Sequence, residues 1–443
     1  MKAHRRTAAL LSVLLLLGAA CSSDPDESGG DDGGDSSADD GPLEGSTVGL
    51  TDDTIKIGYL GADFGSLAEL GIVPDLGDQE KIVQSVVDEL NDDGGIGGRQ
   101  IEVKITLVDG VAGPEVGQAA CIEMTDDFGA FAVILGPAMS RDVARCTSVT
   151  HETLTMNSTG FDQALYDEAE GRLVSTGSDT SMSTDRQYEG WARLLDDAGE
   201  LDGKTIGIVT AEQSPEFPAA VESGLVPTLE ELGHEVAVNV NLPCAEGDRD
   251  CDQHEAAIQQ MKEADVDFVF MAAPNLVGPA VVQAAVNLDF HPQWSANGNQ
   301  VTDTVSQFFE AVKDEWDGAI GVSTVFAQVD DLSDEAHTCN EIITERSGEE
   351  YEPGSDAFGF AAVNCITMQM LQRAAEGIDP AEVNQATVIR GIDGLGEVPL
   401  NAGPSGTISA DKHNAGDYLF LADYNATDQQ FIDRADEPVA IDG

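Results

Sequence analysis

Residues 86–110 read VVDELNDDGGIGGRQIEVKITLVDG, and this stretch decides the fold class. Its first part continues a helical pattern in which Ile82, Val86 and Leu90 recur at four-residue steps on one face. Its last part is a β-branched run that predicts a strand. The GGIGG between them follows a helix and precedes a strand, the reverse of the dinucleotide-binding fingerprint. We interpret these glycines as a helix stop that leads into a tight turn.

The same alternation of short β-branched runs and longer helical stretches extends along the chain from residue 53. A first series of strands is predicted at TIKIGYLG, QIEVKITLVDG, AFAVILGP and TLTMNS, and a second series at TIGIVTA, EVAVNVNL, VDFVFMAAP and QWSANG. Parallel sheets covered by helices are typical of this pattern. Because the ordered part of about 390 residues exceeds one ordinary domain, we predict two α/β lobes.

The amino terminus has the layout of an export signal, predicted over residues 1–20. Basic residues precede an apolar run that is too short to span a bilayer. Small residues then lead to Cys21 in the manner of a bacterial lipobox, although Leu17 lies one place earlier than the usual leucine. We predict lipidation of Cys21, since two acyl chains anchor a protein firmly. An ordinary signal peptide and a twin-arginine signal at Arg5 and Arg6 are the alternatives.

Residues 21–52 are predicted to be the lipidated cysteine and a disordered acidic linker, because they contain almost nothing that can be buried. Calcium binding is the alternative, but the spacing lacks the ligand pattern of an EF-hand. The whole chain has a formal net charge of -61. Such a field repels nucleic acid and anionic lipid headgroups, so neither is an expected partner.

Six cysteines follow Cys21, and an even number in an exported chain suggests disulfides, although many pairings are possible. The spacing favours pairs of sequence neighbours, namely Cys121–Cys146, Cys244–Cys251 and Cys339–Cys365. A zinc site is not favoured because no CxxC or HxxxH motif accompanies them. We predict neither a metal nor a cofactor.

The stretch 86–110, preceded by DDTIKIGYLG and followed by AFAVILGPAMS, resembles the branched-chain amino-acid-binding (Leu/Ile/Val-binding) family of type I periplasmic binding proteins. The members of that family end a helix in an Asn-x-x-Gly-Gly-Ile-x-Gly-Arg turn, and this chain matches it at Asn91, Gly94, Gly95, Ile96, Gly98 and Arg99. The resemblance covers nearly all of the chain after residue 53. In lipoprotein form, such proteins are the substrate-binding components of ABC transporters.

The resemblance implies two doubly wound parallel-sheet lobes joined by three hinge strands. The first lobe would comprise residues 53–177 and 323–398, and the second lobe residues 178–322 and 399–443. The hinge crossings would be RLVSTG near 172–177, GAIGVST near 318–324 and the GEVPLNAG region near 396–403.

Ligands of α/β lobes bind beyond the carboxyl ends of strands. In the first lobe, Ser140 matches the carboxylate-binding serine of the family, with a plain helix cap as its alternative role. Ser158 and Thr159 match the loop that holds the carboxylate and ammonium of the ligand, with a polar turn as the alternative. Asp63 and Phe64 lie in a long loop that could cover the cleft, where an aromatic ring could pack on the apolar part of a ligand.

In the second lobe, the family positions correspond to Glu216, Phe217, Asn275 and Asn297. The amino-acid binders place a carboxylate where this chain has Asn297, and a buried ammonium without a counter-charge is disfavoured. The predicted ligand is therefore a neutral amide, an acid without an amine or another polar metabolite in preference to an α-amino acid, unless Glu216 or Asp63 supplies the negative charge.

No GxSxG, HExxH or Walker motif is present, so no enzyme is predicted. We predict a monomeric lipoprotein on the outer face of the cell membrane, attached by its lipid anchor only, that closes two lobes around a small solute. Its expected partners are the permease and ATPase subunits of an importer. A ligand-sensing lipoprotein of the same fold is the alternative, and a cell-wall hydrolase is the third candidate.

Overall fold

The computed structural model describes residues 45–65, 68, 76–109, 114–136, 139–212, 216–244, 252–301, 307–324, 332–435 and 438–441. The predicted signal peptide, Cys21 and most of the predicted linker lie outside these residues. In the part of the chain that is described, no helix is both long and apolar enough to cross a membrane.

The strands fall into two large sheets and one small one. They are β1 (Thr54–Asp63), β2 (Gln100–Asp109), β3 (Ala132–Leu135), β4 (Leu154–Asn157), β5 (Leu173–Ser175), β6 (Ile206–Ala211), β7 (Val236–Leu242), β8 (Phe268–Met271), β9 (Gln293–Asn297), β10 (Ile320–Ser323), β11 (Gly396–Val398), β12 (Gly406–Ile408), β13 (Tyr418–Asn425), β14 (Gln430–Asp433) and β15 (Val439–Ala440). The strands predicted in both series are present, so the predicted α/β class is confirmed.

The α-helices lie between the strands as predicted. They are α1 (Gln79–Asp92), α2 (Pro114–Ile122), α3 (Arg141–Arg145), α4 (Gln163–Ala169), α5 (Thr184–Asp197), α6 (Glu216–Ala220), α7 (Val226–Leu232), α8 (His254–Glu263), α9 (Gly278–Asn287), α10 (Lys313–Trp316), α11 (Asp334–Ser347), α12 (Asp356–Ala374) and α13 (Gln385–Asp393). The helices α2, α3 and α6 continue directly into π-helical turns at Glu123–Asp127, Cys146–Thr150 and Val221–Leu225.

The first lobe is built on a parallel sheet with the strand order β2-β1-β3-β4-β5. One face of the sheet packs against α1, α11 and α12, and the other against α2, α3 and α4. Both faces are therefore covered, which is why the inner strands β3 and β4 are buried along their whole length. The lobe is doubly wound, as predicted.

The turn that carries the family resemblance holds three segments of this lobe together. Gly95 has a φ of 75°, and a Cβ atom there would lie 1.8 Å from the Arg99 carbonyl oxygen, so only glycine fits. The Asn91 side chain donates to the Ile101 carbonyl at 3.2 Å and accepts from the Ile101 amide at 2.6 Å. The Arg99 guanidinium donates to the Pro380 carbonyl at 2.7 Å. The motif thus joins α1, β2 and the segment before α13.

The second lobe is built on a sheet with the order β14-β13-β10-β9-β8-β6-β7, and β15 pairs with β13. Strands β6 to β10 are parallel, whereas β13, β14 and β15 are antiparallel to their neighbours. One face packs against α8 and α9, and the other against α5 and α7. All three tryptophans, Trp191, Trp294 and Trp316, are buried in these cores.

Two of the predicted disulfides are present in the first lobe. Cys121 is bonded to Cys146, and Cys339 to Cys365. Cys244 is also disulfide-bonded, whereas Cys251, its predicted partner, lies outside the described residues. The first bond joins α2 to the end of α3, and the second joins α11 to α12, so each links neighbouring elements within one lobe.

Candidate functional site

The carboxyl ends of four strands of the first sheet lie side by side. Leu60 stands opposite Leu135, Leu135 opposite Asn157, and Asn157 opposite Ser175. The strand order reverses between β1 and β3, and a crevice at such a switch point is the usual ligand site of an open α/β sheet. The loops that flank this crevice carry the first-lobe residues predicted from the sequence.

Asp63 and Phe64 follow directly from β1. Asp63 is exposed, and its Oδ1 accepts a hydrogen bond from the Gly65 amide at 2.9 Å. Phe64 is half-buried. Both residues line one pocket of about 220 Å³, together with the amino end of α1.

Ser140 is the amino-terminal cap of α3, and its Oγ accepts from the Val143 amide at 3.4 Å. The residue is exposed, so the hydroxyl also faces solvent. The adjacent Arg141 makes a two-pronged ion pair with Asp162. Burial of the Asp162 carboxyl acts in the opposite direction, but the Arg141 hydrogen bond and charge hold the pKa of Asp162 below its usual range. The charges of Arg141 and Asp162 therefore compensate each other next to Ser140.

Ser158 and Thr159 follow β4 and contact the segment that leaves β5. The Ser158 side chain is buried, and the Thr180 Oγ1 donates to the Ser158 carbonyl at 3.3 Å. The Thr159 carbonyl accepts from the Ser175 hydroxyl at 2.8 Å. The Gly160 amide donates to the Thr180 carbonyl at 2.8 Å. These bonds join the end of β4 to the first connection between the lobes.

A set of buried side-chain oxygens at this connection has no hydrogen-bond partner among the described residues: Asn157 Oδ1, Ser158 Oγ, Thr176 Oγ1, Ser181 Oγ and Ser183 Oγ. Buried polar groups are normally paired with protein, water or ligand. Of these residues, only Ser158 was predicted from the sequence. The signal for Thr176, Ser181 and Ser183 is the hydroxyl-rich run STGSDTSMST at 175–184, of which only the first three residues belong to the predicted hinge crossing at 172–177.

The second sheet repeats the arrangement. Val209 stands opposite Met271, Met271 opposite Ala296, and Ala296 opposite Gly321, so the carboxyl ends of β6, β8, β9 and β10 meet at one edge. The strand order reverses between β6 and β8. The segments after β6 and β8 therefore flank a second switch-point crevice.

The predicted second-lobe residues lie at this edge. Glu216 is exposed and Phe217 half-buried at the start of α6, where Phe217 packs against the core. Asn275 follows β8 and is half-buried. Asn297 is the last residue of β9, and its Nδ2 has no hydrogen-bond partner among the described residues.

A half-buried cationic side chain, Arg186, fixes the connection between the lobes. Its guanidinium donates to Asn414 Oδ1 at 3.1 Å and to Asp417 Oδ1 at 3.1 Å. The Ser183 amide also donates to Asn414 Oδ1, at 3.2 Å. The pKa of Asp417 is lowered, because hydrogen bonds from Thr407 and other donors outweigh the opposing effect of burial. This cluster could not be predicted from the sequence, since Arg186 and Asp417 are 231 residues apart.

The structure offers no metal centre in the part of the chain that it describes. The one group of potential ligands found there consists of Cys121, Cys146 and His151. Since the two sulfurs form a disulfide, they are not thiolate ligands.

The comparisons with known proteins agree with this architecture. A family model described as periplasmic binding protein matches residues 54–429. The chain belongs to the periplasmic binding protein family. The resemblance found in the sequence is thereby confirmed, and the fold is that of type I periplasmic binding proteins. No curated protein matches the sequence of this family member.

Three solved structures illustrate the shared fold. A branched-chain amino acid transporter substrate-binding protein from Streptococcus pneumoniae, in complex with isoleucine, is 20% identical with a TM-score of 0.60, covering 88% of this chain and 100% of its own. A solute-binding protein of an ABC transporter from R. palustris, in complex with 4-hydroxybenzoate, is 15% identical with a TM-score of 0.61. The match covers 88% of this chain and 98% of the R. palustris chain. A periplasmic binding protein type 1 from Bordetella pertussis is 17% identical with a TM-score of 0.63. The match covers 87% of this chain and 100% of the B. pertussis chain.

Proposed function

We propose that this periplasmic binding protein is the extracytoplasmic substrate-binding lipoprotein of an ABC importer and binds a small polar metabolite between its lobes. The solute would be an amino acid, an amide or a short organic acid. The observation that carries the proposal is the placement of polar side chains beyond the carboxyl ends of both sheets, at the two switch points. Such crevices are where α/β lobes bind ligands.

The partnerless polar atoms support a ligand that forms hydrogen bonds with both lobes. Ser158 Oγ belongs to the first lobe and Asn297 Nδ2 to the second. A hydroxyl can donate and accept, whereas an amide nitrogen only donates. A solute with an acceptor oxygen at one end and mixed polar groups at the other would satisfy both. Ser140, Thr159 and Asn275 would supply further hydrogen bonds.

Closure would follow from this division of contacts. Trp191 of helix α5 lies in the core of the second lobe, where its indole N–H donates to the Ser295 hydroxyl at 2.8 Å. Its first residue, Thr184, donates to the Phe161 carbonyl of the first lobe at 3.0 Å. Because α5 contacts both lobes, bending near its amino end changes their separation. A solute that touches both walls favours the closed state.

The ligands of the structural neighbours define a reasonable first panel. The neighbours were crystallised with isoleucine and with 4-hydroxybenzoate, both of which carry a carboxylate beside an apolar part. Asn297 offers no negative charge for an α-ammonium. We therefore place amides and acids without an α-amine ahead of α-amino acids.

A thermal-shift panel combined with small-angle X-ray scattering tests the proposal. The panel contains aliphatic amino acids, their amides, short acids, 4-hydroxybenzoate, amines such as cadaverine and agmatine, urea-like compounds and polyols. A solute at about 100 times its Kd should add roughly 2.7 kcal/mol to the free energy of unfolding. The same solute should reduce the radius of gyration, because the lobes close.

Matched variants localise the binding. The double variant Ser158→Ala and Thr159→Ala should lose the thermal shift, whereas Thr338→Ala, on the exposed face of α11, should keep it. Scattering profiles that stay unchanged with every solute of the panel would refute the proposal.

Export, lipid anchoring and the importer partners form the remaining part of the proposal. Metabolic labelling with a fatty acid should mark the wild-type chain and leave Cys21→Ser unlabelled. Neighbouring permease and ATPase genes favour import, and neighbouring sensor-kinase genes favour ligand sensing. Turnover of any compound in the panel would favour the enzyme alternative.

A further inference from the structure

The pocket next to β1 has a composition that the proposed function does not explain. It has a volume of about 220 Å³ and lies between the carboxyl ends of β1 and β2 and the amino end of α1. Ligand pockets usually span about 300–1,000 Å³, so this one fits part of a small molecule. The residues that matter here are Asp63, Phe64, Leu76, Gln79, Glu80 and Leu107.

The pocket is acidic, and no cationic side chain among its described lining residues balances the charges of its carboxylates. Asp63 and Glu80 are exposed carboxylates, and none of the described lining residues is Lys, Arg or His. Lys81, the next residue of α1, already pairs with Asp78 at 3.1 Å and with Glu349 at 2.6 Å. The backbone amide of Lys81 is the main cause that lowers the pKa of Asp78, a third carboxylate of the lining.

Gln79 provides a second, independent observation. Its side chain is 6% exposed, and its Nε2 donates to the Ala62 carbonyl at 2.9 Å. This bond fixes the orientation of the amide, because the opposite orientation would place two oxygens in contact. The remaining atom, Oε1, is buried and has no partner among the described residues. An unpaired buried acceptor requires a donor.

We propose that this pocket binds the cationic group of the solute, an ammonium or guanidinium joined to an aliphatic segment. Asp63 supplies the counter-charge, and Gln79 Oε1 accepts an N–H hydrogen bond. Phe64, Leu76 and Leu107 pack on the aliphatic segment. The inference rests on the proposed function and names the chemistry of its solute. The positive charge of the solute contacts the first lobe at Asp63 and does not lie opposite Asn297.

The geometry favours an organic cation over a metal ion. In the described part of the chain, the carboxylates of this pocket do not form a group of three ligand atoms within 4.8 Å of one another. Calcium requires about six to eight oxygen ligands at short distances. An ammonium or guanidinium can instead form hydrogen bonds with acceptors that are further apart.

Isothermal titration calorimetry on the purified protein tests the inference, with cadaverine and agmatine as amine probes and 1,5-pentanediol and glutarate as matched neutral and acidic probes. At physiological ionic strength of about 0.15 M, the amines should bind with a stoichiometry of one, and the diol and diacid about tenfold more weakly or not at all. Asp63→Asn should weaken amine binding about tenfold. Gln79→Leu should weaken it as well.

Asp88→Asn is the matched control, because it removes the same charge from an exposed position of α1 outside the pocket. Circular dichroism melts show whether each variant is folded. Equal amine affinities of Asp63→Asn and Asp88→Asn would mean attraction to the acidic surface in general and would overturn the inference.

The failure of the inference is distinguishable from that of the proposed function. If amides or acids stabilise the protein and close its lobes while no amine binds, the cation pocket is rejected and solute binding stands. If no probe of any charge binds and the scattering profile never changes, both are rejected.

Discussion

In the proposed function, Asn297 is the side chain at the end of a strand that would decide the class of solute. Its Nδ2 is buried without a partner among the described residues, at the last residue of β9. The family resemblance predicts that this position corresponds to the carboxylate of the amino-acid binders. A donor at this position suits a carbonyl or carboxylate oxygen. It does not suit an ammonium, which also donates.

The variant Asn297→Asp should therefore shift selectivity towards α-amino acids. We expect the affinity for leucine and isoleucine to rise about tenfold, since a charged acceptor replaces a donor. Titration calorimetry measures the effect, and Asn287→Asp, at an exposed position of α9, serves as the control for an added charge outside the cleft. Tight binding of branched-chain amino acids by the wild type would contradict the charge argument.

His291 should titrate above its ordinary pKa of 6.5. The hydrogen bond with Glu315, at 2.6 Å from Nδ1, and then the one with Asp289 raise the pKa of the imidazole. The resulting stabilisation is complete below the unfolded-state pKa and is lost as the pH rises through the folded-state value. Nuclear magnetic resonance titration of the ring should show the midpoint fall in Glu315→Gln and, less strongly, in Asp289→Asn. Unchanged midpoints in both variants would show that the ion pairs are not formed in solution.

At the residue scale, local sequence locates a helix cap, whereas the ligand-binding roles stay predictions. Ser140 caps α3, which was the alternative to its predicted ligand-binding role, and the sequence shows this cap directly because Ser140 follows a strand and precedes a helix. Asn414 and Asp417 could not be predicted as partners of Arg186, because tertiary folding brings them together across more than two hundred residues.

At the scale of elements, Gly160 controls the contact between the end of β4 and the first connection. A Cβ atom on Gly160 would lie 1.7 Å from the Met182 carbonyl oxygen, a backbone atom that cannot move away alone. Gly160→Ala should lower the free energy of unfolding by about 1–3 kcal/mol, as overpacking does. Urea denaturation measures the change.

The matched control is Gly359→Ala in α12, where an added Cβ meets nothing within 4 Å. This substitution should stabilise the helix by about 0.5–1 kcal/mol, because alanine loses less backbone entropy than glycine. If both variants had the same stability, the close approach at Gly160 would not exist in solution.

The elements themselves were largely predictable, and their pairing was not. The periodicity of Ile82, Val86 and Leu90 located α1, and β-branched runs located the parallel strands. The antiparallel strands β13, β14 and β15 were not predicted as strands, because a short stretch such as Tyr418–Asn425 gains its strand conformation by pairing with β10. The predicted lobe boundaries stay predictions.

For the whole molecule, the charge of -61 should make the free energy of unfolding depend on salt. Self-repulsion among carboxylates destabilises the compact state, and its range falls from about 30 Å at 0.01 M to about 3 Å at 1 M ionic strength. We expect the melting temperature to rise across this range of sodium chloride. Glucose at equal osmolality is the control, and a melting temperature that is independent of salt would contradict the expectation.

The amino-terminal segment has a practical consequence for experiments on this protein. The Gly49 carbonyl accepts from the Lys56 amide at 2.8 Å, and the Ser46 carbonyl accepts from the Gln385 amide at 2.9 Å, so the described chain starts at the amino ends of the first-lobe strands. The ten residues of β1 place its carboxyl end about 33 Å away at about 3.3 Å per residue. An affinity tag fused ahead of residue 45 would thus immobilise the protein on a sensor chip by the end opposite to the carboxyl ends of these strands and leave Asp63 and Ser140 open to the flowing analyte.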